Sequence, residues 1–186
     1  GANIIAVDVC KRISSNEDIP APNPDDLAET ADLVKNLNRR IVTAEVDVRD
    51  YESLKAAIDS GVEQLGRLDI IVANEIEAAE LSGLPVGDAP SAAMAASSIR
   101  RRGPSTVIVT LGAQGVVVAD DTGCRHFAAL AVRTVDTTAA GDTFIGAMCA
   151  ARAAGQSTDA AVMRGIQAAT LCVTRAGAQA SIPRFH

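Results

Sequence analysis

The sequence predicts an α/β fold with three layers, in which a doubly wound and mostly parallel sheet carries helices on both faces. The first observation is the alternation of short apolar runs with segments whose apolar residues recur at helical spacing. The second is composition: 48% of residues are apolar but only 2% are aromatic, so Ala, Val, Ile and Leu must build the core. For 186 residues we expect one domain, residues 1–186, that unfolds as one cooperative unit.

The first 73 residues contain three predicted strands and two predicted helices. Strands are predicted over residues 3–9, 40–48 and 68–74, and a Pro-rich loop over residues 14–26 precedes a helix at residues 25–38. A second helix is expected between Asp50, a suitable N-cap, and Gly66, which ends the apolar periodicity.

The remaining residues predict four further helices, one strand and one hairpin. The hairpin is expected from residues 115–120 and 125–130 around the turn at residues 121–123, after a strand at residues 106–110. The helices are predicted over residues 76–82, 91–101, 141–154 and 158–174.

The segment Val135 to Phe144 is the strongest candidate for a site. Two Thr and a turn of small residues come before Asp142, at the start of a predicted helix. Backbone N–H groups at a helix N-terminus are free to bind an anion, and the helix dipole favours one. Asp142 would stand where a group that takes a proton from an attacking hydroxyl is useful. A capped helix without a site has a similar pattern.

Four segments together resemble the ribokinase family of sugar and nucleoside kinases. Residues 136–142 resemble its C-terminal signature, and residues 74–77 resemble its Asn-x-x-Glu motif. Residues 106–115 are similar to its nucleotide-side strand and Gly turn, and residues 173–181 to its C-terminal nucleotide and cation loop. The resemblance covers about residues 74–184. That family's N-terminal half, with its sugar-binding Asp and lid, has no counterpart in the sequence.

The resemblance implies a role for each matching residue. Asp142 would be the general base, and the amides of Ala140 and Gly141 would form the anion hole. The positions on the nucleotide side would be Thr110, Gly112, Ala139, Ala140, Gly141 and Gly177. Asn74 and Glu77 would organise Mg²⁺ and phosphate. Asp136 and Ser181 would bind a monovalent cation. From the residues alone, Asn74 is better interpreted as the cap of a strand end, with Glu77 as a solvated helix residue. Asp136 could equally form a turn.

The first half resembles a different family, the short-chain dehydrogenases/reductases. The matching segments are residues 4–8, 45–50 and 66–74, which are similar to strands two to four of that family. There Asp8 would hold the adenosine ribose, with Asp47 and Val48 beside the adenine. The Gly-rich turn before Asp8 and the Tyr-x-x-x-Lys pair are not found, so NAD(P) binding is not expected.

The two patterns meet at Ala73 and Asn74, which indicates a recombined or engineered chimera of a dehydrogenase-like half (1–73) and a ribokinase-like half (74–186). We expect one Rossmann-like or flavodoxin-like sheet of order 2-1-3-4 with the hairpin at its edge. The chain begins at Gly1, which is typical of processing, tag removal or excision from a longer parent.

Three functions follow from these patterns. The first is a chimera without a complete active site, which needs no cofactor and binds an adenine nucleotide, phosphate or sulfate weakly. The second is an ATP- and Mg²⁺-dependent sugar kinase with an unusual N-terminal half. The third is a nucleotide-binding module without catalysis.

Charge and cysteine usage exclude other classes of partner. Seventeen basic and 23 acidic residues give a net charge of −6 without a long basic run, so nucleic acid is not an expected partner. No apolar run approaches the roughly 20 residues that span a bilayer. The four cysteines form no Cys-x-x-Cys pair, which favours reduced, buried thiols in a cytoplasmic protein. The oligomeric state is not specified by the sequence.

Overall fold

The computed structural model describes residues 3–10, 23–36, 38–47 and 49–183. Over these residues the chain is an α/β protein that divides into two compact units, Gly1–Leu68 and Asp69–His186. The boundary lies five residues before the sequence junction at Ala73 and Asn74. The single cooperative domain stays a prediction.

The first unit contains a two-stranded parallel sheet and two helices. Strand β1 (Ile4–Asp8) pairs with β2 (Ile41–Glu45), and the helices are α1 (Pro24–Asn36) and α2 (Tyr51–Leu65). Helix α2 begins and ends where the sequence indicates: Asp50 Oδ1 accepts the Ser53 amide at 3.2 Å, and Gly66 takes a left-handed backbone with φ 92°. Among the described hydrophobic residues of this unit, only Ala31 is buried.

The second unit is built on a mixed four-stranded sheet. Strand β3 (Ile70–Asn74) pairs in parallel with β4 (Thr106–Thr110); β5 (Val116–Asp120) and β6 (Gly123–Phe127) follow as an antiparallel hairpin beside β4. Its helices are α3 (Glu75–Ser82), α4 (Ala89–Arg100), α5 (Ala140–Ala153) and α6 (Thr158–Val173). Short 3₁₀ turns lie at Gly112–Gln114 and Gln179–Ser181.

Strand β4 places apolar side chains on both faces of this sheet. Val107 and Val109 pack with Ala92 and Ala96 of α4, whereas Ile108 packs with Phe144 of α5 in a second cluster. Such burial on both faces explains why β4 is a continuous run of β-branched residues rather than an alternating one. The second cluster fixes α5, and with it the candidate site, on the sheet.

The predicted sheet order is confirmed only in part. The pairs β2–β1 and β3–β4 and the hairpin beside β4 are present, but the described strands form two sheets, and no ladder joins β1 to β3. The single sheet of order 2-1-3-4 is therefore not found. Apolar patterning marks which runs are strands, but it does not encode which edges of distant strands pair.

The structure also corrects the prediction of buried cysteines. Cys172 is buried, but Cys10 is half-buried, and Cys124 and Cys149 are exposed; all four thiols are free.

The helices of the described residues include none that is long and apolar enough to cross a membrane.

Candidate functional site

The N-terminus of α5 is shaped by a left-handed backbone at Ala139, with φ 61° and ψ 11°. The helix has no side-chain cap there. The Ala139 carbonyl accepts the Thr143 amide at 2.9 Å, which starts the helical ladder. The Ala140 amide turns back to the Thr137 carbonyl at 3.2 Å. One of the two amides expected to form the anion hole is therefore engaged within the turn.

Two other amides of this first turn are free. The N–H groups of Gly141 and Asp142 have no acceptor among the described residues. Asp142 is exposed, and over the same residues its carboxylate takes part in no hydrogen bond or ion pair. A Cβ at Gly141 would meet no atom within 4 Å. The start of α5 thus offers two N–H donors and one unengaged carboxylate to solvent. The Asp142 amide is a donor that the sequence analysis did not include.

Asn74 and Thr110 are brought together at the carboxyl edge of the sheet. They are register partners at the ends of β3 and β4, and Thr110 Oγ1 lies 3.5 Å from the Ala73 carbonyl oxygen. Parallel pairing explains this, because it puts the last residues of both strands at one edge. The Gly112 turn begins after Thr110 and one intervening residue, Leu111.

Asn74 and Glu77 form a reciprocal capping box at the start of α3. Asn74 Oδ1 accepts the amides of Ile76 and Glu77, each at 2.9 Å, and Glu77 Oε2 accepts the Asn74 amide at 2.9 Å. The structural role that the sequence left open is therefore present. Glu77 remains exposed and its second carboxylate oxygen is not used in the box, so it can still face a hydrated Mg²⁺, which usually keeps several waters.

The Gly112 turn is closed by Gly115. Leu111 N donates to the Gly115 carbonyl at 2.8 Å, and Gly115 N donates to the Gly112 carbonyl at 3.1 Å. Gly115 has φ 97°, and a Cβ there would lie 2.1 Å from the Phe127 carbonyl oxygen, so only glycine fits. Around Gly112 itself a Cβ would meet nothing within 4 Å, so the surface beside this predicted nucleotide position is open.

Asp136 joins the turn before α5 to the loop after α6. Its Oδ1 accepts the Thr138 amide at 2.8 Å and its Oδ2 accepts the Gly177 amide at 2.9 Å. These bonds, the Thr138 amide first, lower the pKa of Asp136 to about 2. Ser181 is fully buried and its hydroxyl donates to the Ala178 carbonyl at 2.7 Å. The predicted cation ligands thus lie in the loops that this carboxylate joins.

One further polar group near Asp142 could not be found from the sequence. Thr143 is buried, and its hydroxyl oxygen has no hydrogen-bond partner among the described residues. Its neighbour on the sheet side, Phe144, makes the core contact that anchors α5. A helix pattern predicts the buried face but not whether a hydroxyl on it finds an acceptor.

The candidate residues Asp8 and Asp47 of the dehydrogenase-like segment form hydrogen bonds with residues close to them in the sequence. Asp8 Oδ1 accepts the Cys10 amide at 2.7 Å, which forms a turn at the end of β1. The Asp47 carboxylate binds the Arg49 amide at 3.0 Å and its guanidinium, with Nη2 at 2.6 Å from Oδ2. Val48 lies outside the described residues. Both carboxylates act as local turn partners in this structure.

Comparison with known proteins gives two sets of similarities. The model of the pfkB family carbohydrate kinases matches residues 9–184. A ribokinase of Haemophilus influenzae is 46% identical over 121 residues, which are 65% of this chain and 40% of that protein. The N-terminal segment is similar to a putative short-chain type dehydrogenase/reductase of Mycolicibacterium smegmatis. The two are 78% identical over 74 residues, which are 40% of this chain and 26% of that protein.

The fold is also similar to that of a ribokinase. The structure of an Arabidopsis thaliana ribokinase, complexed with ribose and ATP, matches 87% of this chain and 56% of its own at 25% identity with a TM-score of 0.65. The mixed-sheet α/β fold is therefore that of ribokinases. In each of these proteins the chain covers between about a quarter and somewhat over half of the length. The expected joining of dehydrogenase-like and ribokinase-like segments is confirmed, although the kinase family match also extends across residues 9–73.

Proposed function

Because the chain belongs to the pfkB family of carbohydrate kinases, we propose that it binds Mg-ATP at the N-terminus of α5 and transfers the γ-phosphoryl group to a carbohydrate hydroxyl. The observation that carries the proposal is the turn at Ala139. Over the part of the chain that the structure describes, it leaves the Gly141 and Asp142 amides without acceptors beside an unengaged Asp142 carboxylate. Donors and a base at one helix N-terminus are what phosphoryl transfer requires of a protein.

The proposed reaction assigns each group one task. Asp142 takes the proton of the acceptor hydroxyl, whose oxygen forms a bond to the γ-phosphorus while the bond to the bridging oxygen breaks and ADP leaves. The free amides of Gly141 and Asp142 donate to phosphate oxygens on which negative charge accumulates, and the positive end of the helix dipole acts in the same direction.

Asp142 also makes a counter-ion necessary, because a carboxylate next to a phosphate is unfavourable by itself. Oxygen ligands suit Mg²⁺, which is commonly held through one or two carboxylates, phosphate oxygens and water. Asn74 and Glu77 meet that description through the spare Glu77 oxygen, with the Asn74 amide kept in the capping box. Mg²⁺ would supply charge neutralisation of the phosphates in this arrangement.

Binding is tested by calorimetric titration with Mg-ATP on three proteins. The turn at Ala139 and the Gly141 and Asp142 amides that follow it are called the anion-binding turn. Gly141→Asp puts bulk and a negative charge there and is expected to abolish binding. The matched control is Gly146→Asp, which adds the same side chain at an exposed, open position in the same helix and is expected to leave binding intact. Affinity in the millimolar to high-micromolar range, about −4 to −6 kcal/mol, is expected for a solvent-exposed site. Equal heats from Gly141→Asp and the control would remove the site from α5.

A second function, nucleotide binding without turnover, is favoured by one observation. The N-terminal segment has its high identity to a dehydrogenase/reductase rather than to a kinase, so its residues need not hold a sugar. Ribose-dependent release of ADP, measured with the wild type and Asp142→Asn, separates the two. Release that is lost in Asp142→Asn while Mg-ATP still binds supports the kinase; binding without release in the wild type supports the second function.

A further inference from the structure

Cys172 is the buried thiol of the second unit, and the proposed chemistry does not use it. It lies near the end of α6 and is fully buried. Its Sγ is 3.1 Å from Ser181 Oγ and 3.6 Å from the Thr138 carbonyl oxygen. Thr138 precedes α5, whereas Ser181 belongs to the loop after α6. One side chain therefore contacts two segments that are separated by more than 40 residues of sequence.

The number of hydrogen atoms on the Ser181 hydroxyl and the Cys172 thiol determines which group donates to the other. A serine hydroxyl has one hydrogen, and that of Ser181 is directed to the Ala178 carbonyl at 2.7 Å. In the pair with Cys172, the thiol must then be the donor and the hydroxyl oxygen the acceptor. The same S–H lies within reach of the Thr138 carbonyl. A single thiol hydrogen is therefore shared between acceptors on the two segments.

Other contacts run parallel to this link. The Val135 amide donates to the Val173 carbonyl at 2.8 Å, and Asp136 accepts the Gly177 amide at 2.9 Å. These bonds fix the turn before α5 at Val135 and Asp136, and the Asp136 carboxylate also accepts the Thr138 amide at 2.8 Å. Cys172 adds a separate link through the Thr138 carbonyl. Cys172 acts at Thr138, directly before the left-handed Ala139 that orients the first amides of α5.

We propose that the Cys172 thiol is a positioning group for the anion-binding turn, because it holds Thr138 against the loop after α6 and thereby fixes the direction of the Gly141 and Asp142 amides. The ligand in this inference rests on the proposed function; the link between the two segments does not. Cys172 touches no reacting atom, so its effect must pass through the turn.

The first test measures the link itself by amide hydrogen exchange. Cys172→Ala and Cys172→Ser have similar volumes and differ in a donor hydroxyl. In Cys172→Ala the Thr138 and Gly177 amides should exchange about three- to tenfold faster than in Cys172→Ser, as the loss of one ordinary hydrogen bond allows. The β4 amides should not distinguish the two variants. Equal exchange at Thr138 and Gly177 in both variants overturns the proposal.

The second test measures the consequence for the ligand by titration with Mg-ADP. Cys172→Ser is expected to keep the wild-type affinity, and Cys172→Ala to lose about three- to tenfold. Cys149→Ala, at an exposed position of α5, is the control and should bind as the wild type does. If Cys172→Ala binds as tightly as Cys172→Ser, the positioning role is wrong. If the wild type binds no nucleotide, the proposed function fails and the exchange measurement alone decides the link.

If the alanine variant does not fold, Cys172→Val and Cys172→Thr provide the same comparison, since these side chains have nearly equal shape and differ in one hydroxyl. The threonine variant should then show the slower exchange and the tighter binding. The absence of either difference overturns the proposal in the same way.

Discussion

The guanidinium of Arg125 binds both carboxylate oxygens of Asp120, with Nη1 at 2.8 Å from Oδ1 and Nη2 at 2.7 Å from Oδ2. It also binds Asp159 of α6 through Nε at 3.0 Å and Nη2 at 2.8 Å. Arg125 therefore joins the hairpin to α6 through Asp159. The Arg125 hydrogen bonds hold the pKa of Asp120 well below its usual range.

We expect Arg125→Met to lower the free energy of unfolding by about 1–3 kcal/mol, because it leaves a mostly buried carboxylate without its charged partner. The control is Lys35→Met, which removes an exposed pair with Asp32 and should change stability by less than about 0.5 kcal/mol. Urea unfolding at neutral pH measures both. Similar losses in the two variants would mean that Arg125 contributes no more than a surface charge.

Asp136 gives a prediction for the dependence on pH. Its folded pKa of about 2 lies below the ordinary value of 3.8, so its contribution is present above pH 3.8 and is lost as the pH falls toward 2. Asp136→Asn removes the charge and replaces one of the two accepting oxygens by an NH₂ group, which cannot accept from the Thr138 or Gly177 amide. The difference in unfolding free energy between wild type and variant should therefore be constant above about pH 5 and shrink below pH 4. A difference that does not change between pH 6 and pH 2 contradicts this assignment.

The capping box at the start of α3 separates structure from metal binding. Asn74→Ala should cost about 0.5–2 kcal/mol of stability, as the loss of an N-cap usually does. Glu77→Gln keeps an oxygen acceptor for the Asn74 amide, so its stability should stay within about 0.5 kcal/mol of the wild type. If Glu77 faces Mg²⁺, this variant should bind Mg-ATP more weakly but metal-free ATP equally well. Unchanged affinity for both forms would leave Glu77 with the capping role alone.

Local elements could be predicted from the sequence because their determinants are local. Asp50 and Gly66 delimit α2, and β4 occupies the predicted residues 106–110. The predicted hairpin is present, but its turn is Asp121 and Thr122, and its second strand is Gly123–Phe127 rather than residues 125–130. The candidate base also lies at a helix N-terminus, as its pattern indicates. In each case the chemistry that starts or ends the element lies within a few residues of it.

Features that depend on distant residues could not be predicted. The pairing of strand edges is one, and the expected β1–β3 ladder is not found among the described strands. One local feature could not be predicted either: the engagement of the Ala140 amide by Thr137 depends on the left-handed Ala139, a conformation that alanine rarely adopts. The contacts of Cys172 join residues 34 and 9 positions away, and a helical periodicity says nothing about them.

The two units should differ in their protection from hydrogen exchange. The first unit has Ala31 as its buried hydrophobic residue among those described, whereas Val107, Ile108 and Val109 of β4 are completely buried. We expect β1 and β2 amides to exchange roughly a hundredfold or more faster than those of β4 and β5. Mass spectrometry of peptic fragments measures this at neutral pH. Equal protection would instead favour the single cooperative domain expected from the sequence.

The left-handed Ala139, at the N-cap of α5, has an order of residue preference opposite to that inside the helix. At the exposed Ala150 of the same helix, alanine is the most favourable residue and glycine costs about 1 kcal/mol. At position 139 a Cβ is the source of strain, so glycine and asparagine should be accepted best and β-branched residues worst. A library of all substitutions at both positions, sorted for folded protein, should therefore give opposite rankings for alanine and glycine. Sequence variation at position 139 would then report the shape of the turn rather than the propensity of the helix.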